Sequence, residues 1–106
     1  MARDELQSLP GVGPSIAGDL HLLGVRSIGD LARRNPERLY YRLCTLTRER
    51  QDPCVLYVFR CAVYASRTPF PDRALLKWEA WNGRTLDARR RVVATSKGLP
   101  KEPQID

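Results

Sequence analysis

Asp52-Pro53-Cys54-Val55-Leu56-Tyr57-Val58-Phe59-Arg60-Cys61-Ala62-Val63-Tyr64-Ala65 is the stretch on which the fold class turns. Its β-branched and aromatic residues favour a strand by propensity alone. Two features favour a helix. Asp52-Pro53 is a helix-start pair, a capping acid followed by a residue suited to the first helical position. The run is also longer than an ordinary strand. A helix apolar nearly all round belongs at the centre of a bundle, covered by the others. We read the stretch as the core helix of an all-α fold. Arg60, its only charge, either snorkels to the surface or pairs with an acid.

Upstream, the pattern is one of short helices joined by tight turns. Leu6 and Leu9 are three apart on a first short helix that Pro10-Gly11 ends, with Asp4-Glu5 as its acidic first turn. Pro14 opens a second helix, in which Ile16, Ala17, Leu20 and Leu23 recur at helical spacing and Gly24 is a left-handed cap. Ser27 and Asp30 form a variant capping box for a third helix. Asn35-Pro36 starts a fourth, carrying Leu39, Tyr40, Leu43, Cys44 and Leu46. Downstream, Ser66 to Pro71 is a proline-bracketed loop, and Asp72 caps a short helix from Arg73 to Ala80 that Asn82-Gly83 closes. Trp78 and Trp81 are expected to lid one end of the core; base stacking is the alternative. The expected division is one domain over residues 1–81 and an Arg-rich, mobile tail over 82–106, with one helical turn near Leu86 to Val93.

Composition excludes several classes. With 106 residues there is room for one modest core. Hydrophobic residues at 42% argue against a disordered tail, and the run from Cys54, even extended to Ala65, is too short to span a bilayer. Acids in Met1-Ala2-Arg3-Asp4-Glu5 are unlike a signal peptide, which leads to a cytoplasmic expectation with no membrane partner. Cys44, Cys54 and Cys61 are odd in number and lack metal-knuckle spacing, so no metal and no disulfide framework is expected. His21 has no nucleophile beside it, and no Gly-rich loop ends in Lys-Ser/Thr, so no enzyme is expected. Eighteen basic residues against twelve acidic ones give a net charge of +6. Residues 1–24 are net −2, residues 25–81 net +5 and residues 82–106 net +3.

The functional signal lies in Leu9-Pro10-Gly11-Val12-Gly13-Pro14-Ser15-Ile16-Ala17. Two glycines two apart permit a sharp reversal and leave the backbone bare. The reversal feeds a helix N-terminus, whose free N–H groups and positive dipole end suit a phosphate. Val12 would pin the loop to the core, and the expected donors are the amides of Gly11, Gly13, Ser15 and Ile16. A plain helix–turn–helix corner is the other reading of the same residues.

Leu-Pro-Gly-Val-Gly-Pro-x-x-Ala, with Leu6, Leu9, Leu20 and Leu23 flanking it, resembles the helix-hairpin-helix motif of DNA-repair and replication proteins. More widely, Gly24 to Leu31, Asn35 to Tyr40 and Asp52 to Tyr64 resemble small bacterial pathogenicity-locus helix-hairpin-helix proteins, some of them called mitomycin-resistance-like. The resemblance runs over about residues 4 to 81. It implies a SAM-like array of about five short helices containing two packed hairpin units. It also implies backbone phosphate on the first hairpin's amides, and a monovalent cation on the carbonyls of Gln7, Leu9 and Val12. Ser15 stands where many DNA-binding hairpins have Lys, and the second unit keeps only Gly24.

The expectation is thus a non-catalytic module that contacts the DNA sugar-phosphate backbone without sequence preference. Its expected contacts are Gly11, Val12, Gly13, Ser15 and Ile16, with Arg26, Arg33, Arg34, Arg89, Arg90 and Arg91 supplying charge and Arg38 nearby. Against it stands a protein–protein interaction or scaffold module, motivated by the acidic hairpin and the tryptophan pair.

Overall fold

Side-chain caps set most of the helix starts. Asp52 accepts the Cys54 amide at 2.8 Å, and Pro53 follows it into the helix. Asn35 accepts the amides of Glu37 and Arg38, and Ser27 that of Asp30. The computed structural model describes residues 4–95. It contains helices α1 (Pro14–Leu22), α2 (Ile28–Leu31), α3 (Pro36–Thr47) and α4 (Pro53–Arg67), then strands β1 (Arg84–Leu86) and β2 (Val92–Ala94). Three 3-10 turns, Glu5–Ser8, Arg73–Leu76 and Trp78–Trp81, complete the described elements.

α4 is the centre. Every residue from Val58 to Tyr64 is buried, which requires neighbours on all sides. α2, α3, both C-terminal 3-10 turns and β1 supply them. Trp81 is fully buried against Tyr64, ring centroids 5.4 Å apart, and its indole donates to the Leu75 carbonyl. Arg60 is only 1% exposed and takes the pairing alternative. Its Nε donates to Glu37 at 2.6 Å and its Nη1 to the Trp81 carbonyl at 2.8 Å, while Glu37 also accepts the Thr85 hydroxyl. One guanidinium therefore ties α4 to the start of α3 and to the Trp81 turn, and Glu37 extends the tie to β1.

The expectation of about five helices resolves into four, because the first short helix is a 3-10 turn over Glu5–Ser8, capped by Asp4. The helix expected over Arg73 to Ala80 is split. Lys77 is extended (φ −100°, ψ 123°) and separates two 3-10 turns. With three residues per turn, the second of these places Trp78 and Trp81 on one side. The helical turn expected near Leu86 to Val93 is instead an antiparallel hairpin in which Leu86 pairs with Val92. Asp87 makes that turn: its carboxylate accepts the amides of Arg89 and Arg91, and Arg90 closes it with φ 65°. Leu86 is buried in the core, so this part of the expected tail is joined to the body. The expected mobility of residues 96–106 lies outside the described residues.

Candidate nucleic-acid interface

Two glycine turns flank α1. Gly11 has φ 77° and Gly24 φ 86°, both in the left-handed region that glycine adopts without strain. Each is followed by a buried valine, Val12 and Val25. The second turn is a Schellman cap: the Val25 amide reaches the Leu20 carbonyl and the Gly24 amide that of His21. The first turn packs on the core. A Cβ on Gly11 would lie 3.5 Å from both the Trp78 indole and Val58.

Gly13 is different. Its φ of −94° and ψ of −170° suit any residue, and a Cβ there would meet nothing within 4 Å. Neither strain nor crowding calls for glycine at this N-cap, where Ser, Asp or Asn would hold the helix better. Among the described residues, the amides of Gly11, Gly13, Ser15 and Ile16 donate to no backbone carbonyl, whereas Val12 donates to Leu9 and Ala17 to Gly13. Gly11 and Ser15 are exposed; Ile16 packs partly against the core. The first turn thus presents bare amides at the positive end of a nine-residue helix.

The expected arginines divide into groups. Arg33, Arg34 and Arg90 come together on a groove of about 550 Å3 between the α2–α3 corner and the β hairpin. Arg38 and Arg42 line it too. The sequence reading placed Arg38 near the second unit but missed Arg42, for which the i, i+4 spacing from Arg38 on α3 was the available signal. Arg26, Arg89 and Arg91 do not line the groove. Arg26 is exposed on the second turn, Arg89 is exposed, and Arg91 pairs with Asp87 at 3.2 Å.

Partners distinguish the groove's cations. Arg34 pairs with Asp30 at 3.1 Å and reaches the Gly24 carbonyl, so the groove borders the second glycine turn. Arg90 donates to the carbonyls of Arg33 and Arg34 in the turn between α2 and α3 and latches the hairpin there. Arg38 and Arg42 are exposed and enter no ion pair among the described residues. The Arg34 hydrogen bond holds the Asp30 carboxyl below its ordinary range, and the Arg91 amide does the same for Asp87.

The other chemistry-bearing residues are engaged elsewhere. His21 Nε2 lies 2.6 Å from an Asp4 oxygen, while its buried Nδ1 has no partner among the described residues. The same bond holds Asp4 below the usual carboxylate value. Cys61 is buried and its thiol is pushed up to about 11 by desolvation. All three cysteines are free. Trp81 has no exposed face for base stacking, which removes it from that alternative and from the paired partner surface. No group of three or more metal-ligating side chains occurs among the described residues, and no described helix is long and apolar enough to cross a membrane.

Fold and site together define a class: a small helical protein with a glycine turn at each end of one helix and a basic groove beside the second. The family model described as "Pathogenicity locus" matches residues 2–86, and the chain belongs to that family. It is also 36% identical over 59 residues to mitomycin resistance protein McrB of Streptomyces lavendulae, an alignment covering 56% of each chain. The chain therefore spans little more than half the length of that relative. No solved structure matches.

Proposed function

We propose that the chain is a non-catalytic helix-hairpin-helix module that binds nucleic acid, DNA in the first instance, through the sugar-phosphate backbone and without sequence preference. The amides of Gly13, Ser15 and Ile16 take the phosphate, with Gly11 and Val12 shaping the turn that presents them. The observation that carries the reading is Gly13: glycine stands at an N-cap where the backbone conformation and the surrounding space would admit a better capping residue. A phosphate approaching the helix end needs that space. The net charge of +6 adds the long-range attraction such binding draws on. Three free cysteines suit a reducing cytoplasm. A cation on the carbonyls of Gln7, Leu9 and Val12 is not needed for this grip, and the Leu9 carbonyl already accepts the Val12 amide.

Fluorescence anisotropy of the full chain with a labelled duplex, for the wild type and Gly13→Asp, tests the proposal. Aspartate can cap α1, so the variant stays folded while its carboxylate occupies the phosphate position. At least a tenfold loss of affinity is expected. Unchanged affinity would make the turn a structural corner.

A second reading, a protein-interaction module, is favoured by one observation. Phe70 is 95% exposed between Pro69 and Pro71, which hold it out from the body. A protein partner captured equally well after nuclease treatment, and lost in Phe70→Ser, would favour it.

A further inference from the structure

The groove between α3 and the β hairpin is a charged cavity distinct from the glycine turn, at the opposite end of α1. Nine residues at about 1.5 Å each put the two turns about 13 Å apart along that helix. The groove's floor is aliphatic, with Leu23, Leu39 and Leu86 all buried. Its cations are Arg33 and Arg34 from the α2–α3 corner, Arg38 and Arg42 from α3 and Arg90 from the hairpin.

The distribution of charge within it is uneven. Arg34 is neutralised by Asp30, Arg90 is spent on the carbonyls of Arg33 and Arg34 in the turn after α2, and Arg33 reaches back to the Gly29 carbonyl. Asp87, the acid on the rim, is occupied by backbone amides and by Arg91. Arg38 and Arg42 stay uncompensated one helical turn apart, and like charges at that spacing oppose helix formation. Arg38 also lies in the first turn of α3, where the helix dipole disfavours a cation. An anion placed across these two side chains removes both penalties. Guanidinium groups suit phosphate because each can donate two parallel hydrogen bonds to it.

We propose that this groove is a second phosphate site, in which Arg38 and Arg42 hold two neighbouring phosphates of a single nucleic-acid strand. Arg90 is a positioning residue that holds the hairpin wall in place. A single strand suits Arg38 and Arg42, because its flexible backbone can bring two neighbouring phosphates onto guanidiniums about 6 Å apart along α3. This deepens the nucleic-acid reading and adds a partner class to it, but it stands on residues that the glycine turn does not use.

The test is anisotropy of the full chain with a labelled oligothymidylate and a labelled duplex across a salt series, for the wild type, Arg38→Gln/Arg42→Gln and Gly13→Asp. The glutamine pair removes two exposed, unpaired charges, so its thermal midpoint should equal or exceed that of the wild type. The expected result is at least a tenfold weaker single-strand affinity. The slope of log K against log salt should also be shallower by about 1.4, at about 0.7 per phosphate. If the glutamine pair loses strand binding while Gly13→Asp keeps it, the groove stands and the turn reading falls. If Gly13→Asp loses binding while the pair stays within twofold of the wild type at the same slope, the groove proposal is overturned. It is equally overturned if only duplex binding depends on the two arginines, or if inorganic tripolyphosphate binds there and the oligonucleotide does not compete with it.

Discussion

Replacing Arg60 by methionine should cause one of the largest stability losses of any single change in this chain. The guanidinium is 1% exposed and serves two acceptors, Glu37 at 2.6 Å and the Trp81 carbonyl at 2.8 Å. Methionine keeps the apolar stem but leaves the carboxylate without its cation and the carbonyl without its donor. Breaking a buried ion pair by removing one partner costs about 3–5 kcal/mol. Glu37 is 22% exposed and keeps the Thr85 hydroxyl, so partial rehydration puts the expected loss at the low end, about 3 kcal/mol. For a domain of this size that corresponds to a fall in Tm of about 12–24 °C. Urea unfolding followed by circular dichroism, with m checked for constancy, measures it. The double variant Arg60→Met/Glu37→Met should be more stable than Arg60→Met alone, since no charge is then stranded. A loss below about 1 kcal/mol for Arg60→Met, or a double variant that simply adds the two single losses, would refute the reasoning.

Four further outcomes follow from the same geometry. Gly11→Ala should cost about 1–2 kcal/mol, because φ of 77° penalises any side chain, while the new Cβ would make only ordinary contact with Trp78 and Val58; thermal melts of folded protein check it. The carboxyls of Asp4, Asp30 and Asp87 are held below their ordinary 3.8. Their contribution is therefore complete above that value and is lost as pH falls through the depressed folded-state values, so Tm should decline below about pH 4. Asp19 has the opposite sign, since burial raises its carboxyl and works against the charged form. Asp19→Asn should raise Tm at pH 7 and leave it unchanged in acid. Finally, a thiol reagent at pH 8 should label exposed Cys54 and leave buried Cys61 untouched in native protein.

The helices were legible where a cap and a period agreed. Asn35-Pro36 and Asp52-Pro53 mark the starts of α3 and α4 in the sequence as they do in the structure. The apolar run after Asp52 was long enough to overrule its strand-like composition. The β hairpin was hidden because each strand has three residues and the turn between them is rich in arginine, a pattern shared by solvated tails. The break at Lys77 follows from the docking of Trp81 beside Tyr64, a tertiary demand that no local signal carries.

The candidate site divides in the same way. The glycine turn is local, and its bare amides could be read directly from Gly11-Val12-Gly13-Pro14. The groove gathers Arg38 and Arg42 with Arg90 from far along the chain, and only the docked hairpin brings them together. Charge counting by segment suggested a basic body without locating its basic face.

The central claim, that α1 offers its first amides to a phosphate, is tested most directly by amide chemical shifts. Titrating labelled protein with an unlabelled oligonucleotide should move the Gly13, Ser15 and Ile16 amides together, saturably, and reversibly with added salt. Binding of the oligonucleotide with those three amides unmoved would contradict the account.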